Sequence, residues 1–208
     1  MRHERSGGRR RDIRFALAIV AIATSALLAG CSDAPWLGPN ATTTPTPTRT
    51  TTTPPVQNDL AAGSLTRTVQ AGAVTLTIDY WSTLPMDQWT PDAAKPLSFA
   101  LHGTIEPADG QKLYLSRVSA EPVVRDANGE QLPGFEYLVD SASVSPGYLI
   151  LDPYSFSQTF TLPPVDAAAT SIELSMHFEL LQQSAPDSTD YAKQTAVDVL
   201  MIGLAPAE

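Results

Sequence analysis

Ile172, Leu174, Met176, Phe178 and Leu180 alternate without a break with Glu173, Ser175, His177 and Glu179. Successive side chains of a strand point to opposite faces, so a strand of this sequence is dry on one side and wet on the other. Wound as a helix, the same residues would scatter their apolar groups around the whole circumference. The pattern recurs. Val74, Leu76, Ile78 and Tyr80 alternate with Thr75, Thr77 and Asp79; Leu97, Phe99 and Leu101 alternate with Ser98, Ala100 and His102; Phe156, Phe160 and Leu162 share a face opposite Ser157, Thr159 and Thr161. Further strands are expected near residues 112–125, 131–139 and 148–152. Residues 196–204 are almost continuously apolar, which suits a central strand covered on both faces. Asp126-Ala127-Asn128-Gly129 lies between two such segments, and Asn-Gly favours a tight hairpin. No helical pattern of three turns occurs. About eight strands with Pro- and Gly-bearing turns make the expected fold class all-β, an antiparallel β-sandwich of immunoglobulin-like type; a small closed barrel is the alternative.

These strands occupy residues 59–208, and what precedes them is of another kind. Residues 1–14 hold six arginines, and residues 15–28 run FALAIVAIATSALL without a charge. Fourteen helical residues span roughly 21 Å, short of the roughly 30 Å hydrocarbon core, so this segment reads as an export signal and not as a permanent span. Residues 32–58 form a linker. Between Ala41 and Pro55 there are nine threonines and four prolines in fifteen residues, a composition that cannot bury enough apolar surface to offset ordering. About 27 residues in polyproline II form reach on the order of 80 Å.

Leu28-Ala29-Gly30-Cys31 directly follows the apolar run, and Cys31 is the only cysteine. These residues resemble the lipobox of bacterial lipoproteins. The resemblance covers about the first 31 residues. It implies that residues 1–30 are a signal peptide removed by a lipoprotein signal peptidase, and that Cys31 carries a diacylglyceryl group anchoring the chain on the extracytoplasmic face of the membrane. Two acyl chains suffice for stable anchoring where one does not. The Arg10-Arg11 pair invites comparison with twin-arginine export, but Arg14 interrupts the apolar stretch expected after it, and the general secretory route is preferred. The threonine-rich linker resembles the glycosylated stalks of exported actinobacterial proteins, and an unmodified spacer is the equal alternative.

Residues 59–208 contain nineteen acidic and six basic residues, a formal charge of −13. Such a surface repels phosphate backbones and anionic lipid alike, which argues against nucleic-acid binding and fits a domain held by a lipid anchor. With no cysteine in the domain, its stability rests on apolar burial.

No catalytic residue is marked. There is no G-x-S-x-G elbow, and the two histidines of residues 59–208, His102 and His177, fall on the polar faces of their strands, where no motif flags a Ser–His–Asp set. Two isolated histidines give no zinc spacing. Asp126, Asn128 and Glu130 resemble a calcium loop faintly, but Gly129 stands fourth rather than sixth and the twelfth-position carboxylate is missing. The loop 185–190, with Asp187 and Asp190, offers no more. Neither a metal nor a cofactor is expected.

The stretch that invites a binding role is residues 81–92, WSTLPMDQWTPD. Irregular connections of a dozen residues are uncommon and often functional. Trp81 and Trp89, flanked by Asp87, Gln88 and Asp92, suit a protein partner or a sugar ring stacked on an indole. The competing expectation is that one or both tryptophans plug the end of the sandwich. On that view Trp81, which continues a strand, is the structural one and Trp89 the exposed one. The functional expectation is a lipid-anchored, non-enzymatic binding or envelope-organising domain, its partner an envelope protein. A cell-wall glycan module using Trp81 and Trp89 is the alternative, and a hydrolase the third reading.

Overall fold

The computed structural model describes residues 56–207. The expected export signal, Cys31 and most of the expected linker lie outside the described residues. Ten strands follow in order: β1 (Ser64–Ala71), β2 (Val74–Trp81), β3 (Lys95–Ile105), β4 (Leu113–Asp126), β5 (Gln131–Leu132), β6 (Leu138–Ser141), β7 (Tyr148–Leu149), β8 (Phe156–Leu162), β9 (Ala169–Gln183) and β10 (Tyr191–Gly203). One sheet has the order β1-β2-β3-β8. The other has the order β10-β9-β4, with β5, β6 and β7 taking turns along the far edge of β4. All these pairings are antiparallel. The sheets face each other across one core, and their edges do not close into the barrel held as the alternative.

The alternation read from the sequence is the burial pattern. Val74, Leu76, Ile78 and Tyr80 of β2, Leu97, Phe99 and Leu101 of β3, and Ile172, Leu174, Met176, Phe178 and Leu180 of β9 all point into this core. Phe99 is its aromatic centre. Its ring meets those of Tyr80, Phe156, Phe160 and Phe178 at centroid separations of 5.4–6.5 Å in tilted or edge-on geometry, the arrangement that ring quadrupoles favour. Gly72 begins the two-residue β1–β2 turn at φ +60°, the first central position of a II′ hairpin, where glycine avoids the steric penalty.

Three strand expectations are corrected. Residues 131–139 do not form one strand: Pro133, which cannot donate to a ladder, separates β5 from β6. Residues 196–204 are not a covered central strand. They belong to β10, an edge strand whose Val197 and Val199 remain 44% and 40% exposed while Ala196, Asp198, Leu200 and Ile202 face inward. Valine suits a pleated surface whether or not it is covered, so an apolar run alone does not mark a central strand. Finally, β1 is an additional strand. Its inward set of Leu65, Arg67, Val69 and Ala71 contains an arginine, which hides the period.

That arginine closes one side of the sandwich. From β1 it reaches across to Asp59 at 2.7 Å and to the inward-facing Asp198 of β10 at 3.8 Å. Asp59 also completes the β10 edge: its N–H donates to the Met201 carbonyl at 2.7 Å, and its carboxylate accepts the Met201 N–H at 2.8 Å. Burial opposes ionisation of Asp59, but the Met201 N–H, Gln57 and Arg67 outweigh it and hold its carboxyl below the usual range. The opposite side is closed by backbone. After β7 the chain leaves β4, Ile150 donating to Leu113 at 3.0 Å, and bridges to β3, Gly103 donating to Ile150 at 2.8 Å and Asp152 to Gly103 at 3.0 Å.

Candidate functional site

The connection from β2 to β3, residues 82–94, is a plug with a polar skin. Pro85 starts a single 3-10 turn over Met86–Gln88, closed by Gln88 donating to Pro85 at 2.9 Å. The turn drives Trp89 into the core, where it is fully buried. Its indole N–H finds Ser82 Oγ at 3.1 Å, so the polar end of the ring is satisfied inside. The Trp89 carbonyl accepts the Ala205 N–H at 3.0 Å, and the Pro91 carbonyl accepts Val165 at 2.8 Å. The loop is thereby tied to the segments entering β9 and leaving β10.

Lys95 fastens the other end. It is fully buried, and its Nζ donates to the carbonyls of Thr90, Pro91 and Ala93 at 3.1, 3.3 and 2.6 Å. Burial lowers the Lys95 pKa, with the Asp92 carboxylate opposing. A buried ammonium is tolerated only when its protons are taken up, and three carbonyls match its three donors. The sequence reading did not name Lys95. The signal was present, since Lys95 stands in phase with the inward residues Leu97, Phe99 and Leu101.

The expected assignment of the two tryptophans is therefore reversed. Trp89 is the core plug and offers no face for a ligand. Trp81, one residue past the inward Tyr80, lies half-buried on the outer face of the first sheet, in register with Ser64 and Ser98. Asp87 and Asp92 do come together. With Gln88, Thr90, Ala205 and Pro206 they line a shallow depression of about 570 Å³. Asp92 accepts the Thr90 hydroxyl at 2.6 Å, a bond that leads in holding its carboxyl below the usual range. This skin presents carboxylates and an amide, and neither tryptophan lines it.

His102 and His177 lie on the outer faces of different sheets, in register with Thr77 and Ser119 respectively. His177 has the more suggestive neighbours: Ser119, Glu121, Glu179, Arg117, Tyr137 and Thr195 share a shallow hollow of about 340 Å³ with it. A serine and a carboxylate beside a histidine are the parts of a hydrolase, yet Ser119 and His177 form no hydrogen bond. Ser119 also sits mid-strand, paired on both sides with Val139 and His177. Ladder pairing on both edges engages the backbone N–H groups that an oxyanion hole would require.

The Asp126 loop is a hairpin. Gly129, at φ +83°, follows a turn closed by its N–H to the Asp126 carbonyl at 3.1 Å. Asp126 Oδ1 accepts the N–H groups of Asn128 and Glu130, both at 2.8 Å. The Glu130 bond leads in depressing the Asp126 pKa, and the carboxylate serves its own turn. Among the described residues, no three His, Cys, Asp or Glu side chains are grouped to hold a metal ion, and no helix is long and apolar enough to cross a membrane.

A scan against protein-family models gives no match, and a search of the curated proteins gives no significant match.

Proposed function

We propose that the chain is a lipid-anchored extracytoplasmic lipoprotein whose β-sandwich domain, immunoglobulin-like in connectivity, binds a partner in the cell envelope without enzymatic activity. The chain crosses between sheets at β3→β4, β7→β8 and β8→β9, with β3 beside β8, β4 beside β9, and β10 following β9. That order supports the immunoglobulin-like reading. The observation that carries the functional reading is the polarity of the sandwich. Residues 56–63 lead into it beside Met201 and Gly203, at the end that also holds the Trp89 plug. The opposite end is formed by the loops 106–112, 150–155 and 184–190, which are mostly exposed. Those loops lie at the end remote from residues 56–63, where the tether enters, and loops on a rigid scaffold are where binding residues concentrate.

The glycan reading keeps only Trp81. In its favour, the outer face of the first sheet around Trp81 is rich in hydroxyls. Ser64 and Thr159 are exposed in one cross-strand row with Trp81, while Ser98 in the same row is buried, its hydroxyl bonded to that of Thr159 at 2.8 Å.

Metabolic labelling with a fatty-acid analogue tests the anchor. The wild-type chain is expected to take up label and to partition with membranes, and Cys31→Ala to do neither. Label retained by Cys31→Ala overturns the lipoprotein reading.

A further inference from the structure

The end of the sandwich remote from residues 56–63 has a depression of about 390 Å³, within the range of natural binding sites. Its apolar lining comes from Ile105, Ala108 and Leu151, and its charge from Asp109 and Asp152. A second depression of about 420 Å³ shares Gly110, Gln111, Leu151 and Asp152 with the first and adds Lys112, Leu149 and Tyr154, the last 58% exposed. The two form a continuous feature around Leu151. Its walls are held. Leu151 pairs with Gly103 in the segment joining the sheets. Gly110, at φ +85°, lies against Pro186 of the neighbouring loop, close enough that an added Cβ would contact the proline ring at 3.6 Å.

The surroundings are predominantly acidic. The exposed loops at this end bear Glu106, Asp109, Asp152, Asp187 and Asp190 against the single cation Lys112. An apolar pocket with carboxylates at its mouth complements a side chain that has an aliphatic stem and a cationic head. A neutral apolar ligand leaves the carboxylates unused, and an anionic one is repelled.

We propose that this pocket docks an arginine or lysine side chain from an exposed basic segment of a protein partner. The stem lies on Leu151 and Ile105, the head is held by Asp109 and Asp152, and Tyr154 offers a ring face to an adjacent cation. The proposal rests on the reading of the domain as a tethered binder and names the partner's chemistry.

The test uses the chain as purified from membranes, in neutral detergent. The probes are a capped pentapeptide with one arginine between two leucines, and the same peptide with citrulline in place of arginine. Amide shifts are followed by NMR. The arginine peptide is expected to shift residues 104–111 and 149–154 saturably and the citrulline peptide to bind at least about tenfold more weakly, as loss of a charge-assisted contact implies. The double variant Asp109→Asn/Asp152→Asn, and Ala108→Gln, which fills the pocket but keeps both carboxylates, are each expected to lose the arginine-specific shifts while melting as the wild type does. Equal binding of the two peptides, shifts spread evenly over the acidic surface, undiminished binding by both variants, or saturation of the same residues by a neutral chitooligosaccharide would each overturn the proposal. Photo-crosslinkers at positions 154 and 87, used in cells, separate its failure from that of the parent reading. Capture from position 87 alone overturns the pocket and leaves a tethered binder. Capture from neither position overturns both.

Discussion

Trp89 and Ser82 are joined by a hydrogen bond of 3.1 Å from the indole N–H to the serine hydroxyl, which also accepts the Leu84 N–H at 3.1 Å. This bond lets a polar aromatic close the end of the sandwich without an unsatisfied group. Burying a tryptophan removes roughly 150–250 Å² from water, and large-to-small changes at such sites cost about 3–5 kcal/mol. Trp89→Ala is expected to lower stability by that amount in urea melts. Trp81→Ala, at a half-buried outer-face position, is expected to cost under about 1 kcal/mol. Equal costs would contradict the assignment of Trp89 as the plug.

Lys95 makes a sharper prediction, because its substitution strands an acceptor. Lys95→Met keeps most of the side-chain volume but leaves the Ala93 carbonyl without its donor and takes one of two donors from the Thr90 and Pro91 carbonyls, which keep the Ala93 and Val165 N–H groups. Unpaired buried polar groups cost about 1–3 kcal/mol each, offset in part because the ammonium no longer has to be buried. A net loss of about 1–3 kcal/mol is expected. Hydrogen exchange is expected to rise at residues 82–94 before it rises in β3 or β9. A variant as stable as wild type, with unchanged exchange in that loop, would show that the three contacts do not hold it.

The Asp59–Arg67 pair predicts a pH dependence. The folded-state pKa of Asp59 is depressed below its ordinary value near 3.8. The unfolded state therefore takes up the proton first as pH falls. The stabilisation is present above about pH 4 and is lost as pH drops through the lower, folded pKa. Asp92 and Asp126 shift in the same direction. Melting temperature is expected to be flat from neutral pH to about 4.5 and to fall below it. Asp59→Asn is expected to melt lower at neutral pH and to show a shallower acid decline. An acid decline as steep in the variant as in wild type would assign the effect to other carboxylates.

Gly147 tests how closely the edge segments approach β4. A Cβ there would stand 2.5 Å from the Leu115 carbonyl oxygen, a backbone atom that cannot swing aside, whereas a Cβ at Gly134 would meet the Pro122 carbonyl at an ordinary 3.5 Å. Gly147→Ala is expected to destabilise by about 1–3 kcal/mol and to disturb β7, whereas Gly134→Ala is expected to be close to neutral, within about 0.5 kcal/mol. Indistinguishable melts would mean that β7 yields without cost.

The sequence alone determined the fold class and most strand positions, because a period of two fixes which side chains face inward whatever the partner strand. The same parity already places Trp81 opposite Tyr80, on the outer face. Legibility failed where an inward position is polar. Arg67, Lys95 and Asp198 stand in phase with apolar neighbours, and a reading keyed to hydrophobicity passes over them or, for β1, loses the strand. Tertiary structure alone decided what those residues do. Each is tolerated only because its partner comes from a segment that sequence spacing does not connect to it, Arg67 with Asp198, or from carbonyls that a folded loop turns toward one point, as around Lys95. It also decided the fate of Trp89. A loop residue has no period to read, and this one is buried because Ala205 and Val165, remote in sequence, bind the backbone on either side of it. The pocket at the end remote from residues 56–63 has the same origin. Ile105 and Asp109 come from the end of β3 and the loop that follows it, Leu151 from the segment after β7, and the two segments meet only because the crossing at Ile150 joins the sheets there.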